Sequence, residues 1–299
     1  MFKKLRRKKQ AKQQRTQLIQ MHSLLLSQEY LRLALSSIAQ GIESNKEHRI
    51  IVSLTTIKPR INDIHLTIES IFQQSLKADK VVLWLSEDDF GEHDIPEILK
   101  KQIQRGLEIE FCKDIGPHTK YHYTIQKYPN DLVLTVDDDI LYPVDTVDML
   151  YREYLKAPNM IHCHRAHRID LDKNGAIKPY KQWPWNIQDD TPSLTVFPTG
   201  VGGVLYFPGC FDDEIINEEA FLKLSPGADD VWLKAMSLKK GTLCKKTTDH
   251  RDWGVRFPVI SGSQTVSLKR RNKKAGSGND SKIEATFKAY KLSKKLQDQ

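Results

Sequence analysis

The stretch LTVDDDILYP, Leu134–Pro143, decides how the fold is interpreted, because three consecutive aspartates follow an apolar run. The segment that leads into them, Asp131–Val136 (DLVLTV), is short and rich in Val and Leu, which is typical of a buried strand. Adjacent carboxylates repel one another unless a cation lies among them. Carboxylates clustered at a strand end suit Mg²⁺ or Mn²⁺, and an exposed acidic turn is the structural alternative. We therefore expect a cation beside these aspartates.

Three earlier apolar runs have the same character, and helical patterns separate them. Between the first two runs, Ile64, Ile68 and Ile71 recur at the spacing of one helix face. Strands that alternate with helices predict βαβ units and a parallel sheet. Ligands bind beyond the carboxyl ends of such strands, so the aspartates lie where a site is expected. The predicted strands are Ile50–Leu54, Lys80–Leu85, Leu107–Cys112 and Asp131–Val136.

Composition limits the class of protein. The chain has 299 residues, of which 39% are hydrophobic, enough for a substantial core. It contains no run of about 18 apolar residues, so we expect no transmembrane helix, and the apolar stretch Leu24–Leu26 is too short for a signal peptide. The cysteines form no CxxC pair, which favours reduced thiols over a zinc cluster. They are Cys112, Cys163, Cys210 and Cys244.

The two ends of the chain are basic. Residues 1–16 contain eight Lys/Arg and no acid, and residues 251–299 contain twelve Lys/Arg against four Asp/Glu. Because the whole chain has a net charge of +8, the middle must carry −8. Basic ends suit an anionic membrane surface or a nucleic acid, and solvated tails are the structural alternative. We expect residues 1–46 to form a partly helical arm, since leucines recur at helical spacing in Ser23–Gln40.

Six segments, counting the aspartate-rich one, carry a resemblance to a known family: VSLTTIKPRI (Val52–Ile61), LTIESIFQQSLKADKVVLWLS (Leu66–Ser86), LTVDDDILYP (Leu134–Pro143), HRAH (His164–His167), FPTGVGGVLY (Phe197–Tyr206) and GADDVWL (Gly227–Leu233). In this order they resemble the bacterial GT-A glycosyltransferases, specifically the glycosyltransferase-2-like group linked to surface polysaccharide assembly. The resemblance implies an α/β fold of the GT-A (nucleotide-diphospho-sugar transferase) type, with a mostly parallel central sheet flanked by helices. We expect this domain to span residues 47–258. In residues 259–299, the sequence itself predicts a basic loop, Ser261–Asp280, and a final helix, Ser281–Leu296.

The resemblance gives the aspartates a role. In that family two aspartates separated by one residue bind a divalent cation that bridges the donor's diphosphate. Asp137 and Asp139 occupy these positions, with Asp139 as the first metal ligand and Asp137 beside the ribose or a metal-bound water. Asp138 points to the other face of the strand end and is a further donor-site candidate. His250 falls where several members place another metal ligand, although a lone His after a strand is more often structural. The implied cofactor is Mn²⁺ or Mg²⁺, which stabilises the departing nucleoside diphosphate.

Two further segments are candidates for donor contacts. In the resembled fold the loop after the first strand holds the nucleobase and ribose, and Thr55, Thr56 and Arg60 are suitable donors there. An ordinary loop between strand and helix would explain them too. The segment GPHTKYH opens the helix before the fourth strand, and helix N-termini favour anions. Lys120 is therefore a candidate contact to phosphate or sugar, whereas His118 is either a contact or a helix-start residue.

The next candidates concern the reacting centre. FPTGVGG has three glycines, which permit close backbone approach to a ligand, and the family places this stretch beside donor sugar and acceptor. Gly202 and Gly203 are candidate contacts, with a tight bulge as the structural alternative. Asp229 and Asp230 occupy the place of the acidic pair that supplies the general base in inverting GT-A enzymes, and Asp230 matches the base best. A helix N-cap is the alternative. The pair departs from the commoner Glu-Asp, which leaves the stereochemistry open.

Two clusters downstream of the aspartates complete the set of candidates. The HRAH segment offers His164, Arg165 and His167 as contacts to acceptor or diphosphate. Trp183 and Trp185, in QWPWN, form either a surface on which a sugar stacks or part of the core.

We expect a metal-dependent hexosyltransferase that moves a sugar from a nucleotide-sugar, with a UDP-sugar as the favoured donor, to a polysaccharide or lipid-linked glycan acceptor. We expect it in the cytoplasm, where its basic ends could dock against anionic lipid on the inner face of the membrane. The alternative for the N-terminal helix is that its apolar stripe packs on the body of the protein or on a partner. One alternative is a nucleic-acid- or membrane-binding protein that acts through its basic ends. Nucleic acid is the less favoured partner, because the ends lack the interleaved aromatics on which bases stack. The other alternative is a metal-dependent nucleotide-sugar phosphohydrolase.

Overall fold

The computed structural model describes residues 2–263 and 278–297, with side chains from Arg6 onward. Most of its strands form one sheet that separates two layers of helices. The strands in the described residues are β1 (Ile50–Thr55), β2 (Lys80–Ser86), β3 (Leu107–Cys112), β4 (Leu132–Thr135), β5 (Ile161–Cys163), β6 (Ala166–Arg168), β7 (Val196–Pro198), β8 (Val204–Tyr206) and β9 (Cys244–Lys246).

The central sheet has seven strands in the order β3-β2-β1-β4-β8-β5-β9. Strands β1 to β4 are parallel neighbours, β8 runs antiparallel between β4 and β5, and β9 is parallel to β5. Strands β6 and β7 pair separately as a small antiparallel ribbon. The predicted fold class, an α/β fold with a mostly parallel central sheet flanked by helices, is confirmed. The four predicted strands are all present, and each of their ends lies within one residue of the expected position.

The helices cover both faces of the sheet. One hydrophobic cluster joins β1–β4 to α2, α3 and α5, and a second joins the β5, β8 and β9 side to α4, α6, α7 and the C-terminal helices. The helices are α1 (Phe2–Ser36), α2 (Ile64–Phe72), α3 (Glu97–Ile103), α4 (Thr119–Lys127), α5 (Thr146–Lys156), α6 (Glu218–Leu224), α7 (Asp229–Lys240), α8 (Trp253–Arg256), α9 (Asn279–Ala289) and α10 (Ser293–Gln297). None of the helices in residues 2–263 and 278–297 combines the length and the apolar character that a membrane span requires.

Within the N-terminal arm expected at residues 1–46, α1 ends at Ser36 and residues 37–46 contain no helix. The second half of α1 packs on the body, where Tyr30 and Ala34 are buried. A buried ion pair supports this packing: Arg105 contacts Glu69 at 2.8 Å, and its Nε donates to the backbone oxygen of Ala39 just beyond the helix. In the first half the described side chains from Arg6 to Leu18 are exposed.

The C-terminal region differs from the prediction. A single helix was expected at Ser281–Leu296, and this is wrong: α9 ends at Ala289 and α10 follows it. The reason is local, because Lys291 has a positive φ of 54°, which a continuous right-handed helix cannot contain. The expected loop Ser261–Asp280 lies mostly outside the described residues. The four cysteines are buried and form no disulfide.

Candidate active site

A lysine joins the two acidic motifs. Asp137 follows the end of β4, and Asp229 opens α7. The Nζ atom of Lys120, at the start of α4, lies 2.8 Å from Oδ1 of Asp137 and 2.9 Å from Oδ2 of Asp229. The lysine side chain is only 7% exposed. Ser53 on β1 holds this end of α4 by donating a hydrogen bond to the backbone oxygen of Lys120. The structure therefore brings both predicted acidic segments to one edge of the sheet.

The charges in this cluster alter one another's protonation. Burial disfavours the Lys120 ammonium, but the carboxylates of Asp137, Asp229 and Asp230 outweigh it and raise the pKa of Lys120 well above its usual value. Burial, followed by repulsion from the Asp229 carboxylate, raises the pKa of Asp230 to about 8. Asp230 therefore changes charge near neutral pH, which is the range required of a general base.

The glycine-rich turn closes over the cluster. The backbone N–H of Gly200 donates to Oδ1 of Asp230 at 3.0 Å. A Cβ at Gly200 would lie 3.1 Å from Oδ1 of Asp137 and 3.2 Å from Nζ of Lys120, so this position is a close backbone approach that any side chain would crowd. The predicted Gly202 and Gly203 have φ of +98° and +94° and shape the turn. Gly202 packs against the Trp253 ring and Gly203 against Leu134, away from the carboxylates.

The remaining aspartates contact the loop after β1. Asp138 accepts from Thr56 Oγ1 at 2.6 Å and pairs with Arg60 Nη1 at 2.5 Å. Burial raises the pKa of Asp138, although Arg60 and Thr56 oppose the shift. The second Nη atom of Arg60 lies 3.4 Å from Asp139. Two cationic side chains, Arg60 and Lys120, thus lie among the aspartates, and this limits the repulsion expected of three adjacent carboxylates.

Two predicted residues have structural contacts instead. Thr55 donates to the backbone oxygen of Trp84 at 2.9 Å, across the β1–β2 pair. His118 is buried, stacks on Phe221 at 4.4 Å and bonds to the backbone oxygen of Ser225 at 3.0 Å. Burial lowers the pKa of His118 to about 4, so it is neutral at physiological pH. Its contacts are those of a packed core histidine.

The HRAH segment supplies one side chain near the cluster. Burial lowers the pKa of His164 and of His167 to about 4, and His164 is tied to the backbone oxygen of Thr146 at 3.0 Å. Arg165 lies between them in sequence, and burial lowers its pKa, although the charges of Asp230 and Asp137 oppose the shift. It donates to Thr199 Oγ1 at 3.2 Å, one residue before the glycine turn. Arg165 is therefore the member of this segment best placed to meet a ligand.

The tryptophans of QWPWN have different environments. Trp183 is buried and donates to the backbone oxygen of Lys178, which is core packing. Trp185 is 50% exposed and stacks on His167 at 4.7 Å, so one of its faces is covered.

The donor set at the aspartates fits a divalent cation bound partly by substrate. Asp137 and Asp139 offer hard oxygen ligands, and Mg²⁺ commonly takes one or two carboxylates together with substrate phosphates and water. Within the described residues no group of three or more His, Cys, Asp or Glu side chains is arranged to hold a metal ion. His250 is exposed on the wall of a separate cavity and is not grouped with these two aspartates. A cation here would need oxygen ligands from a bound molecule.

Several contact residues were missed at the level of sequence. Gly200 lies nearer the carboxylates than the two glycines that were singled out. Tyr142 is buried and its hydroxyl accepts from the backbone N–H of Asp137 at 2.8 Å, which fixes the aspartate turn. Trp253 packs against the glycine turn, and Arg165 lies 5.9 Å above its ring. A signal for Tyr142 was present in the DDDILYP continuation, but none marked Trp253.

Comparisons with known proteins give likeness of fold only. No protein-family model matches the chain, and no curated protein matches it. A mannosyltransferase, PcManGT from Pyrobaculum calidifontis, solved with GDP-Man and Mn²⁺, is 15% identical with a TM-score of 0.43, over 78% of this chain and 64% of that chain. TarS from S. aureus, solved with UDP, is 13% identical with a TM-score of 0.46, over 67% of this chain and 58% of that chain. The chain thus spans about three-fifths of the length of the solved chains that it matches.

Proposed function

We propose that this chain is a metal-dependent glycosyltransferase of the GT-A type that transfers a hexose from a nucleotide-sugar to a glycan acceptor. The observation that carries the proposal is the contact of Lys120 with both Asp137 and Asp229. It unites a carboxylate suited to a metal-bound diphosphate with an acidic pair suited to general-base catalysis. A UDP-sugar is the favoured donor and a polysaccharide or lipid-linked glycan the favoured acceptor, on the resemblance stated above.

Each side chain then has a task. Asp137 and Asp139 would hold the divalent cation, which supplies the positive charge that stabilises the departing nucleoside diphosphate. Lys120 and Arg60 keep the carboxylates in place and add positive charge beside the diphosphate. The hydrogen bond from Thr56 to Asp138 stabilises the same edge of the sheet. The role of His250 as a further metal ligand remains a prediction.

In the proposed reaction, Asp230 accepts the proton that the acceptor hydroxyl loses. The acceptor hydroxyl oxygen attacks the anomeric carbon, the bond from that carbon to the phosphate oxygen breaks, and its electron pair leaves with the diphosphate. The hydroxyl proton passes to the Asp230 carboxylate. Its Oδ1 is held by Gly200 N–H at 3.0 Å, so the acid is oriented for this transfer.

We place the enzyme in the cytoplasm, with α1 against an anionic membrane surface. The described side chains Arg6–Leu18 of this helix are exposed, and Leu18, Met21 and Leu25 are 66%, 61% and 60% exposed. Basic charge beside exposed leucine and methionine side chains is typical of helices that lie in the lipid interface. These exposed apolar side chains favour a membrane over nucleic acid as the partner of the basic end.

The products distinguish transfer from the phosphohydrolase alternative. Each of a panel of UDP-, GDP- and CDP-sugars is incubated with the protein and Mn²⁺ or EDTA, without acceptor. A glycosyltransferase releases the nucleoside diphosphate and free sugar slowly and only with metal, since water then replaces the acceptor. Release of nucleoside monophosphate and sugar phosphate would instead establish hydrolysis within the diphosphate, and would overturn the proposal.

A further inference from the structure

A polar cavity lies beside the glycine turn, outside the aspartate cluster. Its volume is about 320 Å³, and its walls come from the segment after β9, from α8 and from the N-terminal helix. Four cationic side chains line it, against the two carboxylates of Asp249 and Asp252. The cationic residues are Arg15, Lys246, Arg251 and Arg256.

Three of these cations are neutralised by carboxylates. Arg15 pairs with Asp252 at 2.6 Å, so the N-terminal helix closes one side of the cavity. Arg251 pairs with Asp145 at 2.7 Å and with Asp249 at 2.9 Å. Arg256 pairs with the same two aspartates.

Lys246 is different from the other three. It is 3% exposed, and its Nζ donates to the backbone oxygen of Thr247 at 3.0 Å. It forms no ion pair with any carboxylate of residues 6–263 or 278–297. An ammonium has three N–H donors, and a buried cation that contacts no carboxylate directly lowers stability. Burial lowers the pKa of Lys246, although the nearby carboxylates of Asp249 and Asp190 oppose the shift.

A second donor on the cavity wall is also unused. The side chain of Arg256 is 7% exposed, and its Nε has no hydrogen-bond partner among the described residues. Buried donors are normally hydrogen-bonded, so each exception calls for a physical reason. An oxyanion in the cavity would supply acceptors for Lys246 Nζ and Arg256 Nε together.

The cavity is close to the reacting centre. Trp253 lines it and packs on Gly202, since a Cβ at Gly202 would lie 2.4 Å from the ring. Gly200, two residues earlier, contacts Asp137. Two residues of chain span at most about 7 Å. The cavity wall at Trp253 therefore lies within one short turn of the aspartate cluster, a distance that a single acceptor glycan can span.

We propose that the cavity binds the carboxylate or phosphate group of an anionic acceptor glycan, with Lys246 as its principal contact. This inference rests on the proposed glycosyl transfer and adds the chemical class of the acceptor. The same oxyanion chemistry is present in the donor's diphosphate, so the experiment must separate acceptor from donor.

The test uses ligand-observed NMR on the full chain with glucuronate and glucose 6-phosphate as probes and glucose as the uncharged control. The wild type should bind both anionic sugars and not glucose, and saturating UDP with Mn²⁺ should not displace them. Lys246→Met should weaken this binding roughly tenfold or more, the effect of losing a charge-assisted hydrogen bond. Lys245→Met is the matched control, because its neighbouring Nζ pairs with Glu153 at 2.5 Å and does not line the cavity.

Thermal unfolding tells a ligand-binding lysine from a structural one. Lys246→Met should keep or raise the Tm, since it replaces an unpaired buried charge by an apolar chain of similar length. A clear fall in Tm would mean that Lys246 serves the fold, and would overturn the inference.

Two further results would overturn it. The first is that the wild type binds neither anionic probe. The second is that UDP with Mn²⁺ displaces the probes and that Lys246→Met also binds UDP more weakly; this result would assign the cavity to the donor. Lys246-dependent probe binding in a protein that binds no nucleotide would refute the proposed function while leaving an anion site.

Discussion

The ammonium of Lys120 lies 2.9 Å from the carboxylate of Asp229, although one residue opens α4 and the other opens α7. The same ammonium lies 2.8 Å from Asp137, so a single buried cation connects one proposed metal ligand to Asp229, the neighbour of the proposed base Asp230.

Removing this cation should destabilise the protein. Lys120→Met leaves two carboxylates at a buried site without their counter-ion, and we expect the free energy of unfolding to fall by about 3–5 kcal/mol. Urea unfolding measures the change. The control is Lys127→Met on the same helix, whose ion pair with Glu110 is partly exposed and should contribute less than about 1 kcal/mol. Equal losses in the two variants would show that Lys120 does not hold the cluster together.

Asp230 should give the stability a particular pH dependence. Because the folded protein raises the pKa of this carboxyl to about 8, it holds the proton more tightly than the unfolded chain does. Stability should therefore fall as the pH rises from about 4, the ordinary carboxyl value, to about 8. Asp230→Asn removes this component, so urea unfolding between pH 5 and 9 should show a flatter profile than wild type.

The control is Asp213→Asn, which changes an exposed aspartate. The stability of this variant should change with pH as steeply as that of the wild type. Turnover provides an independent readout. Asp230→Asn should lose roughly 10²- to 10⁴-fold in kcat, the contribution of a positioned base, while nucleotide binding is retained. A variant with wild-type kcat would exclude Asp230 as the base.

Gly200 should be sensitive to a single methyl group. A Cβ in Gly200→Ala would lie 3.1 Å from Asp137 Oδ1 and 3.2 Å from Lys120 Nζ, so we expect weaker Mn²⁺-dependent nucleotide binding with little loss of stability. Gly209→Ala is the opposite case, because Gly209 has φ of +78° but open space around it. That change should cost about 1–2 kcal/mol of stability and leave nucleotide binding intact. The reverse pattern would place the ligand away from the glycine turn.

The N-terminal helix should bind anionic vesicles. Replacing Lys8, Lys9 and Lys12 by Gln should weaken co-sedimentation with vesicles that contain phosphatidylglycerol, by about 1 kcal/mol for each lysine. The control replaces three exposed lysines on the body, Lys173, Lys181 and Lys223, and should change binding much less. Equal effects would indicate a response to overall charge, and no binding by wild type would remove the membrane from the proposal.

The parallel half of the fold could be predicted from sequence because its strands are continuous apolar runs. Strands β5 to β9 could not, since each has three residues, too few to display a periodic pattern. The proximity of Lys120 to both acidic motifs depends on the order of the strands in the sheet. No local sequence pattern indicates that order. The approach of Gly200 could not be predicted for the same reason. The pairing of Arg60 with Asp138 could not be predicted either, since the resemblance indicates only that Arg60 lies near the ribose.

Calorimetric titration of UDP, GDP and CDP, each with and without Mn²⁺, tests the central claim most directly. The wild type, Asp139→Ala and the surface control Asp213→Ala are compared. We expect one nucleotide to bind the wild type and the control only when Mn²⁺ is present, and not to bind Asp139→Ala, because the carboxylate and the diphosphate share the cation. Nucleotide binding that is independent of Mn²⁺ and of Asp139, or no binding of any of the three, would contradict a metal-dependent donor site at these aspartates.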